Sequence, residues 1–123
     1  MCLDTVYRGK QKREALAKLP ESGYYWKCVY QKNGKYWPIF YDDEPLKTGV
    51  NILKARNYSG IGYKPAFHLF LSKDRASTYY GLSTKQAVVI RCKAKKKDIV
   101  AIGEQRGLCI VTTRFWCPKP KAK

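Results

Sequence analysis

The sequence predicts an α+β protein: a mostly antiparallel, curved sheet or open barrel carrying two short helices. Three observations predict it. Apolar and polar residues alternate at period two through several runs. Gly, Pro and Asn-Gly signals bound those runs. Only residues 12–19 and 73–80 combine helix-forming composition with helix start or stop residues. Strands that outnumber helices, with the helices interrupting them, point to α+β layering. The 123 residues and 45% hydrophobic content suit one packed core. Residues 1–117 therefore read as a single domain. Residues 118–123, "PKPKAK", read as a disordered basic tail with nothing to bury.

The elements follow in order. Thr5–Tyr7 is a short strand ending at Gly9. Lys12–Leu19 is a helix rich in Ala and Leu, stopped by Pro20 and Gly23. "YYWKCVYQKNGKYWPIFY" is a hairpin. Tyr24, Trp26, Cys28 and Tyr30 share one face, and Asn33-Gly34 supplies the two positive-φ positions of a type I′ turn. The return strand runs Lys35–Tyr41. Pro38 places it at an edge or bulge, because proline cannot donate to a ladder. "DDEPLKTG" is a polar loop, "VNILKARN" fits a short helix or a strand, and "YSGIGYKPA" is a glycine-rich loop. Phe67–Leu71 is an interior strand with Phe67, Leu69 and Leu71 toward the core. Ser72 then caps a helix over Lys73–Tyr80, Asp74 suits its first turn and Gly81 ends it. "QAVVIRCKA" is a strand with Val88, Ile90 and Cys92 inward and Val89, Arg91 and Lys93 outward. "KKKD" is a turn, "IVAI" a strand, "EQRG" a turn, and "LCIVTTRFW" one last β-branched and aromatic strand.

Charge sets the functional expectation. The chain carries 25 Lys+Arg against 9 Asp+Glu, a net charge of +16. A surplus of that size repels itself and favours an anionic partner: nucleic acid or a nucleoprotein, with an acidic protein as a further option. The basic residues group as Lys27, Lys32 and Lys35 on the hairpin and Arg91, Lys93, Lys95, Lys96 and Lys97 running off one strand. Tyr25, Tyr36 and Trp37 are the aromatics interleaved with the hairpin lysines. Lysines for phosphates and aromatics for bases are the parts of a nucleic-acid-binding sheet.

Other chemistry has little to work with. His68 is the only histidine and has no acid or nucleophile in sequence reach. Adjacent carboxylates in "DDE" point to opposite sides of an extended chain. The cysteines, Cys2, Cys28, Cys92, Cys109 and Cys117, form no C-x-x-C spacing, so no metal site is expected. Five is an odd number and no secretory leader pattern opens the chain, so free thiols in a reducing, cytoplasmic setting are expected. No apolar run is long enough to span a membrane. On these grounds the protein is expected to bind without catalysis and without a cofactor.

Residues 67–103 also resemble ADP-ribosyltransferase-like proteins. The likeness lies in "FHLFLS", Ala76 with Tyr79 or Tyr80, and "AVVIRC", with "VYRG" similar to that family's first strand. The resemblance implies NAD as ligand, with Arg8 contacting the dinucleotide, Ser72 supporting the nicotinamide pocket and Glu104 as catalytic carboxylate. "YKPAFHLFLSKDRA" followed by a V-V-x-R strand is similar in style to small accessory proteins of bacteriophage and virus genomes. That resemblance implies a host-directed or genome-associated role.

Overall fold

The elements along the chain are β1 (Thr5–Val6), α1 (Gly9–Ala17), β2 (Ser22–Lys32), β3 (Lys35–Pro38), β4 (Gly49–Ile52), β5 (Phe67–Phe70), α2 (Lys73–Thr78), β6 (Ala87–Lys95), a 3₁₀ turn (Lys96–Asp98), β7 (Ile99–Glu104), β8 (Leu108–Thr112) and β9 (Arg114–Cys117). The computed structural model describes residues 3, 5–38, 45–52, 67–78, 87–105 and 107–120. The "DDE" carboxylates, the glycine-rich loop, Tyr79 to Gly81, Cys2 and the last three residues of the tail lie outside the described residues.

The strands form a mostly antiparallel sheet that does not close, in the order β1-β7-β8-β5-β2-β6-β9-β4, with β3 paired to β2. The β2–β3 hairpin turns on Asn33 and Gly34, whose φ angles of 55° and 72° are those a type I′ turn demands. β3 pairs with β2 alone, which is where Pro38 belongs. Gly103 lets β1 close on β7, since a Cβ there would collide with the Thr5 carbonyl oxygen.

β2 is the longest strand and the organiser. One of its edges pairs with β6 from Ser22↔Lys95 to Tyr30↔Ala87. Its other edge is shared: β5 meets it at Trp26↔Phe70, and β3 takes over from Val29 to Lys32. Side chains alternate across the sheet, and each face carries a packed cluster. Tyr25, Val29, Leu69, Ile90, Cys92, Ile110, Phe115 and Cys117 build the core on one face, with Ala15 and Leu16 of α1 laid against it. Cys28, Phe70, Cys109 and Val111 build the core on the other, under Ala76 of α2.

Several expectations change here. The helix expected over Lys12–Leu19 begins at Gly9 and ends at Ala17. "VNILKARN" contributes the strand β4 as far as Ile52, and its remainder is outside the described residues. β5 buries both faces, His68 and Phe70 as well as Leu69, because it lies between β8 and β2 with α2 above. The single strand expected from "LCIVTTRFW" is two strands, β8 and β9, that occupy separate places in the sheet. The break is at Thr113, whose amide donates to Asp98 O at 3.1 Å. The buried Thr112 hydroxyl lies 3.1 Å from Asp98 O and 2.9 Å from Arg114 O, so side chain and turn carbonyls replace the ladder there.

Candidate nucleic-acid interface

β2, β6, β9 and β4 are neighbours, and their sequences contain no Asp or Glu. The register places Tyr24 opposite Lys93, Lys93 opposite Trp116, and Trp116 opposite Val50. Directly opposed residues share a face, so these four side chains form one row across four strands. One pleat further, Ser22 opposes Lys95, and Ile52 opposes Arg114. All eight residues are exposed, and none lies in either core.

The apolar members decide what kind of surface this is. Tyr24 is 51% exposed, Val50 45%, Ile52 69% and Trp116 44%, and these are the large exposed hydrophobic residues among those described. They are gathered on one face rather than scattered, an arrangement that makes this face the candidate interaction surface. The cations lie among them. The Arg91 guanidinium carbon is 4.6 Å from the Tyr24 ring centroid and the Lys93 ammonium 5.8 Å from it. Both distances are within cation–π range. The same face is covered further along β2, where Cys28 is buried in the core beneath α2 and Trp26 is half-buried at the boundary.

Arg91, Lys93 and Lys95 thus come together on the bare face. The other residues singled out in the sequence go elsewhere. Lys27 and Tyr36 are corrections: both are buried, and Tyr25 with them. The cause is parity along β2 and β3. Lys27 falls between Tyr25 and Val29 on the packed side of β2, and Tyr36 joins the same core. The Lys27 ammonium donates to His68 O at 3.2 Å, close to where β5 leaves the edge of β2. Burial pushes its pKa below the usual lysine value, against a smaller opposing effect of the surrounding thiols, Cys92 foremost. Burial in turn pushes the Cys92 thiol up, with Cys117 adding to the rise, and pushes Cys117 up to about 11.

Lys32 and Lys35 oppose each other at the hairpin tip, and both are exposed. That tip is eight residues along β2 from Tyr24, about 26 Å for an extended strand. Lys32 sits over the Trp37 ring at 5.4 Å, and the Trp37 indole nitrogen is buried with no hydrogen-bond partner among the described residues. Lys96 is engaged: its amide donates to Glu21 O at 2.9 Å and its ammonium to Leu19 O at 3.3 Å. Lys97 is exposed on the 3₁₀ turn.

Arg8, Ser72 and Glu104 lie toward one end of the sheet. Glu104 opposes Thr5 on one side and Leu108 on the other, and Leu71 donates to Leu108 O at 3.1 Å. Ser72 and Glu104 each already have a local task. Ser72 Oγ accepts from the Arg75 amide at 3.4 Å as the helix cap. Glu104 accepts from Tyr7, whose pKa is raised first by desolvation and then by that carboxylate. Arg8 is the extended, exposed residue that leads into α1.

Sequence reasoning did not single out Arg114 and Trp116 as candidates and placed Tyr24 without a role. The signal was present in "RFW", where a cation and an indole flank a core Phe at period two. Their meeting with Lys93 depends on a cross-strand register that no local pattern encodes. Searches against protein families, curated proteins and solved structures return no match for this chain. Among the described residues, no cluster of three or more His, Cys, Asp or Glu is arranged to hold a metal, and no helix is long and apolar enough to cross a membrane.

Proposed function

We propose that this protein is a small basic binding protein that engages nucleic acid, alone or within a nucleoprotein, and does so without catalysis. One observation carries the reading: an acid-free face on four adjacent strands where Arg91, Lys93, Lys95 and Arg114 stand among exposed Tyr24 and Trp116. Cations neutralise phosphates and release their counterions, and a field set by +16 raises the encounter rate. The role is accessory, in the manner of phage and virus proteins that handle genomes, and its setting is the cytoplasm, where free thiols persist.

The test is a salt titration. Affinity for a 12-mer oligonucleotide is expected to fall with ionic strength at a log–log slope of about −0.7 per phosphate contact on a single strand. Replacing Arg91, Lys93 and Arg114 together by Gln should flatten that slope by about 2. Absence of binding at 50 mM salt, or binding indifferent to salt, refutes the reading.

A further inference from the structure

We infer that the bare face takes an unpaired strand, laid across β2, β6 and β9 with one base on Tyr24, one on Trp116 and a phosphate on Lys93 between them. This inference rests on the proposed function and sharpens it from nucleic acid to single-stranded nucleic acid.

The row geometry carries it. Tyr24, Lys93 and Trp116 are directly opposed on three successive strands. Strands stand about 4.8 Å apart, so the Cα atoms that carry the two rings are about 10 Å apart, with that of Lys93 between them. In a duplex the bases repeat every ~3.4 Å and cover one another's faces, so neither ring has a base face to meet. A duplex would touch this surface through phosphates alone and leave both aromatics in water. Unpaired bases can be splayed apart, and their faces stack on aromatic rings or on a guanidinium plane. Arg91 lies over the Tyr24 ring at 4.6 Å, so its guanidinium plane extends the stacking platform there. Lys95 and Arg114, one pleat from Lys93 and Trp116, stand where the next phosphate passes. Aromatic faces accept any base, so recognition is sequence-tolerant.

An acidic polypeptide would satisfy the cations equally well. It presents rings only where it carries aromatic residues, whereas an unpaired strand offers a flat base at every nucleotide, and it is the alternative that the test must separate.

The experiment measures fluorescence anisotropy of a labelled mixed-sequence 12-mer, as single strand and as duplex, at 50 and 200 mM salt. Wild type is compared with Tyr24→Leu, Trp116→Leu and the double variant. Both residues are exposed, so the variants should keep the wild-type melting temperature, which is checked alongside. We expect the single strand to bind at least tenfold tighter than the duplex. Each ring loss should weaken single-strand binding by roughly 5- to 150-fold, leaving the salt slope and duplex binding unchanged. Salt-dependent binding that ignores both ring losses, or that favours the duplex, overturns the single-strand inference while the nucleic-acid reading stands. Displacement of the labelled strand by polyglutamate of equal charge as readily as by unlabelled oligonucleotide also overturns it. Absence of binding to either nucleic acid removes the broader reading as well.

Discussion

Lys27 and Lys93 are both lysines on paired strands, yet they live in different solvents. Lys93 stands in water among aromatics, on the outward side of a strand whose next residues, Cys92 and Ala94, are buried. Lys27 stands on the packed side of β2, bonded to a backbone carbonyl and surrounded by thiols. Net charge treats the two alike. Position in the pleat does not, because a shift of one residue along a strand exchanges water for core. A basic composition therefore favours an anionic partner without saying which cations are free to meet one.

The comparison breaks most visibly at Phe115 and Trp116. Phe115 is 1% exposed and stands edge-on to Phe67 with ring centroids 4.7 Å apart. Phe115→Ala should destabilise the protein by about 3–5 kcal/mol. Trp116→Ala, one residue away, should change stability by less than about 0.5 kcal/mol, as surface substitutions do. Urea unfolding of both variants measures this. Equal losses would mean that the two sides of β9 are not inside and outside.

The lysine pair gives the next effect. Lys27→Met removes a buried amine and keeps its apolar stem, and should stabilise the fold by about 1–3 kcal/mol. Lys93→Met should leave stability within about 0.5 kcal/mol. Proton linkage sharpens the contrast. The Lys27 pKa is lowered on folding, so between the folded value and 10.5 the unfolded chain binds the extra proton. Its contribution is least unfavourable above 10.5 and worsens as pH falls through that window. The buried thiols run the other way: their contribution is complete below 9 and is lost as pH rises toward about 11 for Cys117. Wild type should therefore gain stability from Lys27 as pH rises from its lowered pKa toward 10.5, a gain that the thiol loss above 9 opposes. Lys27→Met should lack that gain and show only the alkaline loss. Identical pH profiles for the two proteins would contradict the burial of Lys27.

The smallest effect separates capping from ligand binding at the other end of the sheet. Ser72→Ala should cost about 1 kcal/mol through loss of the α2 cap. It should leave NAD affinity, measured by calorimetry, where the wild type has it. Loss of measurable NAD binding at unchanged melting temperature would instead support the ADP-ribosyltransferase-like reading of Arg8, Ser72 and Glu104.

Local chemistry was legible in the sequence wherever neighbours along the chain decide the outcome. Asn33-Gly34, the edge position of Pro38, the Ser72 cap and the inward Ile90 and Cys92 against outward Arg91 and Lys93 are all short-range matters. The rest depends on strands far apart in the chain. Lys27 reads as solvated from its charge, and only the core packed on the Tyr25–Val29 side of β2 buries it. "TTRFW" reads as a continuation of "LCIV", and only the Asp98 carbonyl, supplied by a distant turn, divides them. The candidate face was half legible for the same reason: the cations of β6 were visible, and the aromatics opposing them were not.

The break at Thr113 also has a kinetic consequence. It sends β9 away from its chain neighbour β8 to pair with β6 and β4, so the row from Tyr24 to Trp116 joins strands from opposite ends of the described chain. Such non-local pairings form late, after long loops have closed. During synthesis, Tyr24 emerges early and remains without its neighbours until β6 and then β9 have left the ribosome. The row comes into being only once β9 has joined β6, so a chain cut before β9 keeps the cations of β6 without Trp116 beside them.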